Sequence, residues 1–239
     1  PDGITTSEAT CKRLASMKTA AKDFRIFWDN AYCVHHLYAD EAMQEKCPDM
    51  LSLCAEAGNP NRVYEFASTS KVSFAGSGLA CFATNKDNFE AAMKVIGIQT
   101  IGANKINQLA HSVMFPNLDA IKAQMMKHAD ILRPKFEKTL EILDNELTGL
   151  DVATWHKPNG GFFISVNVFP GTAKTTVAMC KDLGVALTPA GATYPYGKDP
   201  QDSNIRFAPS FPSIENIEKS VKVFTVCAKL AAVNKILEA

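Results

Sequence analysis

An excess of either charge is missing: the 239 residues carry 25 Lys and Arg against 25 Asp and Glu. A balanced chain offers neither a basic stripe for nucleic acid nor a polybasic anchor for a membrane surface. Long apolar runs are missing too. Although 46% of the residues are hydrophobic, no run approaches the ~20 residues that a membrane span needs. Paired cysteines are also absent. Cys11, Cys33, Cys47, Cys54, Cys81, Cys180 and Cys227 are odd in number, and none are spaced C-x-x-C. That pattern argues against a disulfide framework or a zinc site and for reduced thiols in a cytoplasmic protein. There is no internal repeat and no low-complexity segment.

What is present is alternation. "TTSEATCKRLASM" predicts a helix, with Thr5 and Glu8 spaced as a capping box. "FRIFWD" predicts a buried strand, and "DMLSLCAEAGN" a short helix ending at Gly58. "RVYEFAST" and "LACFATN" predict strands, and "NKDNFEAAMKVI" a helix capped by Asn85. Strands alternating with helices imply an α/β domain with a mostly parallel sheet and flanking helices. A long helical pattern, about 117–148, then runs through Pro134, where a kink is expected. Beyond it come a strand ("GGFFISVNV"), a helix closed by glycine ("TAKTTVAMCKDLG") and a strand ("NIRFAPS"). A last helix starts at Ser213, with Ile214, Ile217, Val221 and Phe224 on one face. These predict a small C-terminal α+β domain. The expected division is 1–130 and 131–239.

Three stretches carry candidate chemistry. In "STSKVSFAGSG", Lys71 follows a core strand among hydroxyls and glycines. A lysine desolvated there is a nucleophile for carbonyls. Ser68 and Ser70 can donate to a phosphate, and Gly76 and Gly78 let backbone N–H groups approach it. The plain alternative is a surface lysine at a loop start. In "FRIFWDNAYCVHHL", Asp29 ends a strand and Tyr32 follows. A carboxylate at the carboxyl edge of a parallel sheet lies where open α/β folds bind ligands. The alternative is an Asp that caps a turn. In "SNIRFAPSFP", Arg206 sits in an apolar strand, where it needs either a bidentate carboxylate ligand or an internal salt bridge. His35 and His36 follow the Asp-Tyr pair with no further ligands at metal spacing. Trp28 precedes Asp29, so its side chain is expected on the opposite, core face.

The order D-x-A-Y, S-x-S-K and a late N-I-R resembles the pyridoxal-phosphate-dependent aminotransferases of fold type I. Together with "LTPAGATYPYGKDP", these stretches resemble a bacterial aspartate-aminotransferase-like branch of the class I/II superfamily. The resemblance covers essentially the whole chain. It implies that Lys71 forms the internal aldimine with pyridoxal 5′-phosphate and shuttles a proton at the substrate Cα. It implies that Asp29 pairs with the pyridine nitrogen and Tyr32 with the ring hydroxyl. Ser68 and Ser70 would meet the phosphate, and Arg206 the substrate α-carboxylate. Many relatives place an arginine eight residues after the lysine, where this chain has Leu79. Fold type I enzymes are usually dimers with shared active sites, so the resemblance implies a homodimer for the intact protein, and the segment holding Asn104, Asn107 and Gln108 resembles one that reaches the partner subunit's active site. Residues 187–197 resemble a small-domain loop near the substrate. "PDG" at residues 1–3 aligns with the end of an N-P-x-G turn, so the chain is expected to be the C-terminal half of a longer protein.

The implied activity is amino transfer between an amino acid, with aspartate the best guess, and a 2-oxo acid such as 2-oxoglutarate. A lyase or decarboxylase on the same scaffold would share Lys71, Asp29 and Arg206. A transcription regulator with an aminotransferase-like effector domain is the reading of a different class.

Overall fold

The computed structural model describes residues 4–238; the "PDG" turn lies outside them. The chain divides into two compact units. One holds residues 5–35 and 45–126; the other holds residues 36–44 and 127–238, with Ile4. The division falls inside the long helix, and the segment 36–44 joins the unit of the later residues, which sequence pattern did not reveal.

The first unit contains helix α1 (Glu8–Ser16), strand β1 (Ile26–Asp29), helix α2 (Met50–Glu56), strands β2 (Val63–Ser68) and β3 (Ala80–Ala83), and helices α3 (Lys86–Gln99) and α4 (Lys105–Met114). The α1 cap is Ser7, whose side chain accepts the Thr10 N–H. It is not Thr5, because the first turn starts two residues later than the expected box. Asp49 and Asn85 cap α2 and α3 in the same manner. Among the described residues, the sheet is not mostly parallel. β1 and β2 run parallel, with Asp29 beside Phe66, whereas β2 and β3 run antiparallel, with Ser68 beside Ala80. Parallel pairing needs a crossover of a dozen or more residues, and the link between β2 and β3 is a short returning loop. Alternation along β1 turns Ile26 and Trp28 inward and leaves Phe27 and Asp29 outward. Trp28 packs beside Cys11, Ala15, Met50, Cys54 and Val63, on the core face as expected.

The second unit is built on an antiparallel sheet of β4 (Ala153–Trp155), β5 (Ile164–Val168) and β6 (Asn204–Phe207). Helices α6 (Ala173–Asp182) and α7 (Ile214–Leu237) belong to it. Helix α5 (Leu118–Leu147) is continuous through Pro134. The register pairs Ile164 with Phe207 and Val166 with Ile205. These four point into a core with Phe136, Leu143, Val221 and Phe224, and Phe207 meets Phe224 edge to face at 4.6 Å between centroids. Ile214 is 42% exposed, so the buried face of α7 begins one turn later than expected, at Ile217. The segment 36–44 is fixed by Leu37, which is buried in this core. The Leu37 N–H donates to the Asn159 carbonyl and its own carbonyl accepts from Arg133.

Among the described residues no helix is long and apolar enough to cross a membrane. The seven cysteines are free thiols; Cys11, Cys54, Cys180 and Cys227 are buried, while Cys47 and Cys81 are exposed.

Candidate active site

Five of the six residues singled out from sequence lie in the first unit, around the carboxyl ends of β1 and β2. Asp29 is the last residue of β1 and is exposed. Its Oδ1 accepts the Ala31 N–H at 3.0 Å, so one carboxylate oxygen does cap the turn that follows. The Asn30 N–H donates to the Phe66 carbonyl at 2.8 Å, which ties that turn to β2. Beneath it the Asn30 side-chain amide donates to Glu65, whose pKa is pushed up by burial against the opposing effect of that hydrogen bond. The chain then turns again, with the Cys33 N–H on the Asn30 carbonyl and the His35 N–H on the Tyr32 carbonyl.

Those turns bring Tyr32 to Lys71. The Lys71 ammonium lies over the Tyr32 ring, 4.8 Å from its centroid, a cation–π arrangement. His35 is buried; its ring meets Tyr32 edge-on at 5.3 Å, and its Nε2 lies 3.3 Å from the Lys71 carbonyl oxygen. His35 therefore links both halves of the pair. The expected desolvation of Lys71 is not seen: the residue is exposed. The residue just after it, Val72, is the buried one, so the loop turns the lysine outward.

The loop from Thr69 to Leu79 is closed by its own hydrogen bonds. The Thr69 N–H donates to the Leu79 carbonyl at 2.8 Å, and the Leu79 N–H donates to Thr69 Oγ1 at 2.8 Å. Val72 and Ser73 both donate backbone N–H groups to the Thr69 carbonyl at 2.9 Å. Gly76 has φ of 82°, in the region glycine favours. Gly78 is required by space rather than angle: a Cβ there would stand 3.1 Å from the Ser70 backbone nitrogen. Ser68 shares the outward sheet face with Asp29, by the registers Asp29–Phe66 and Ser68–Ala80. Ser70 is exposed beside Lys71.

Arg206 belongs to the other unit. On β6 it pairs with Ser165, on the sheet face away from Ile205 and Phe207. Its guanidinium lies 4.3 Å from the Phe163 ring centroid. On the same face the Asn204 amide donates to Ser165 and Asn167, and Thr193 donates to Asn204. Arg206 also borders a groove of about 660 Å³ whose lining includes Leu187, Thr188, Phe207, Phe211 and Ile217. The expected small-domain loop contains Gly191, where a Cβ would stand 2.5 Å from the Gly197 carbonyl oxygen.

Sequence reasoning missed Thr69, Ser73 and His111, which meet in one cluster described below, and helix α4 as a helix. The Asn104 cap and the spacing of Ile106, Leu109 and Val113 were the available signals. Asn104 spends its side chain on the Asn107 N–H.

A carboxylate at a strand end, an amine over a tyrosine ring, and a hydroxyl-rich loop pressed close by a glycine thus come together at one sheet edge. The aspartate amino-transferase family matches residues 1–239, and the chain belongs to it. An aspartate aminotransferase of Corynebacterium glutamicum is 47% identical over 232 residues, 97% of this chain and 53% of its own length. The crystal structure of an aspartate transaminase from that organism superposes with a TM-score of 0.92 at 45% identity, covering 98% of this chain and 55% of the other. The Thermus thermophilus α-aminoadipate aminotransferase LysN was solved with N-(5′-phosphopyridoxyl)-L-leucine. It shares the fold at a TM-score of 0.73 and 20% identity, covering 98% of this chain and 57% of the other. The chain thus spans about half the length of the curated relatives it matches.

Proposed function

We propose that the intact protein is a cytoplasmic, homodimeric aminotransferase. It would move an amino group between an amino acid, aspartate first, and a 2-oxo acid, 2-oxoglutarate first, with pyridoxal phosphate held at Lys71. The observation that carries this reading is the Lys71 ammonium 4.8 Å above the Tyr32 ring, on the turn that begins at Asp29.

The residues fit the group. Pyridoxal phosphate supplies an aldehyde conjugated to a protonated ring, an electron sink for charge at the substrate Cα. The Lys71 amine would be the nucleophile for that aldehyde and the base for the substrate Cα proton. Asp29 would keep a proton on the ring nitrogen; its Oδ1 accepts the Ala31 N–H, so the carboxylate is oriented before any ligand arrives. Tyr32 would donate to the ring hydroxyl. Ser68, Ser70 and the loop N–H groups near Gly76 and Gly78 would serve the phosphate in place of an arginine at Leu79. The Leu79 N–H itself is spent on Thr69. Arg206 is proposed, from its own setting, as the cation for the substrate α-carboxylate. A planar fork already stacked on Phe163 loses little freedom on binding a carboxylate bidentately.

The test is borohydride reduction of the intact protein with pyridoxal phosphate, followed by peptide mapping. The pyridoxyl mass is expected on the peptide holding Lys71. Lys71→Ala should lose that mass and roughly 10³-fold or more of the turnover, the scale of a lost general acid–base. A folded protein that carries no mass at Lys71 overturns the reading. Product analysis with aspartate and 2-oxoglutarate separates transfer from lyase chemistry, which would release ammonia.

A further inference from the structure

We propose that His111 is a positioning residue for Lys71, pinning the lysine's loop to helix α4 through Ser73 and Thr69. The inference rests on the reading of Lys71 given above. His111 lies on α4, far along the chain from the loop, and is half-buried. Its Nδ1 stands 2.8 Å from the Asn107 carbonyl oxygen. A carbonyl only accepts, so Nδ1 carries a hydrogen. In the neutral ring that leaves the Nε2 lone pair facing the loop. Two hydroxyls converge on it, Ser73 Oγ at 2.8 Å and Thr69 Oγ1 at 3.0 Å.

Those hydroxyls flank Lys71 by two residues on each side, and both are already built into the loop. Thr69 Oγ1 accepts the Leu79 N–H that closes the loop. Ser73 Oγ also lies 3.2 Å from the Thr69 carbonyl oxygen. The imidazole therefore joins the loop's first turn, its closing hydrogen bond and α4 at one point. Without the ring, the loop keeps its internal bonds and its roots on β2 and β3 but loses its tie to α4. The lysine backbone would then be held by His35, at 3.3 Å, and by the buried Val72 beside it. A loop with exposed Ser70, Lys71, Ala75, Gly76 and Ser77 has few buried contacts to replace that attachment, so it would open locally at small cost. An amine presented from an opening loop reaches its carbonyl target in a smaller fraction of molecules, which weakens capture of the aldehyde before any chemistry on substrate.

The experiment compares the intact wild-type protein with His111→Leu, His111→Asn and His111→Gln. Asn can reach only the Asn107 carbonyl; Gln places its polar end near the Nε2 position. One readout needs no cofactor: amide hydrogen exchange at Thr69, Val72, Ser73 and Leu79. These amides are expected to exchange about tenfold faster in His111→Leu and His111→Asn, with exchange in β2 and in the second unit unchanged. His111→Gln should recover most of the protection. The other readout is pyridoxal phosphate affinity, with borohydride trapping at Lys71. It should weaken about tenfold in the same two variants and recover with Gln. If His111→Leu does not fold, Ser73→Ala, which removes the nearer hydroxyl, should give the same changes to a lesser extent. Wild-type protection and affinity in all of these variants would overturn the inference while leaving Lys71 labelled. If wild-type Lys71 takes no label, the function reading fails instead, and the exchange data still decide the clamp.

Discussion

The two units close their cores differently. The second unit has eighteen residues in one buried hydrophobic cluster, drawn from Leu37, α5, β5, β6, α6 and α7. The first unit has five, under one face of its sheet. The other face is aromatic and open. Phe27 stacks on Tyr64 and Phe66 at 5.7 and 5.6 Å, Phe82 stacks on Phe89, and Phe27 is still 72% exposed. Ile98, Ile106 and Val113 are 88%, 80% and 74% exposed on the helices that follow. An apolar surface of that kind is a candidate for contact with further protein. Five of the six candidate residues lie in the open unit, and Arg206 lies on the packed sheet of the closed one. The lesson is that the candidate site's lysine is held by hydrogen bonds in a loop, while the arginine is held by packing.

The largest expected effect tests the closed core. Leu143→Ala removes a fully buried side chain of α5 in the second unit. It should cost about 2–5 kcal/mol in denaturant unfolding of that unit. Phe27→Ser in the intact protein is its counterpart. If further protein covers the open face, the cost approaches the ~3–5 kcal/mol of a buried aromatic. A cost near that of a lost ring stack, about 1 kcal/mol, would show a face that stays in water.

A smaller effect tests how the lysine loop is built. Gly78→Ala asks for a Cβ 3.1 Å from the Ser70 backbone nitrogen and 3.2 Å from Thr69 Oγ1. The loop must give by a few tenths of an ångström at the residues beside Lys71. Loss of pyridoxal phosphate affinity without loss of global stability is expected. Gly58, where a Cβ meets nothing but φ is 74°, gives the contrasting case: alanine there should strain the α2 end and leave the cofactor untouched.

Local patterning made most of this legible. Caps at Asn85 and Ser213 and the alternation of β1 gave the elements their ends and faces, because those signals lie within four residues. D-x-A-Y and S-x-S-K placed Asp29, Tyr32, Ser68, Ser70 and Lys71 at one sheet edge. The antiparallel β3 was not legible, since periodicity does not report strand direction. Strand β4 spans three residues, too few for a period. His111 was invisible for another reason. Its partners lie 38 and 42 residues away, and one histidine on an exposed helix carries no motif.

The smallest effect concerns protons, and here the two units should slope in opposite directions. In the first unit, burial raises the pKa of Glu65 above its ordinary 4.5, with the Asn30 hydrogen bond opposing and Asp49 adding to the rise. The folded state then binds the proton more readily than the unfolded one. The penalty for folding is full above the raised value and disappears as pH falls below the ordinary one. In the second unit, burial would raise Asp199, but N–H groups of Asn204, Ser203, Gln201 and Asp202 outweigh it and hold the pKa below 3.8. Its contribution is present above 3.8 and is lost as pH falls through the lowered value. Glu65→Gln keeps an acceptor for Asn30 and should flatten the gain of the first unit on acidification. Asp199→Asn weakens the acceptor that holds the Ser203 and Asn204 N–H groups at 2.8 Å, and should destabilise the second unit most near neutral pH. Unfolding followed by exchange at β2 and β6 amides from pH 7 to 3 reads the two slopes separately. Parallel slopes in the wild type would show that at least one of the two carboxyls does not govern its unit.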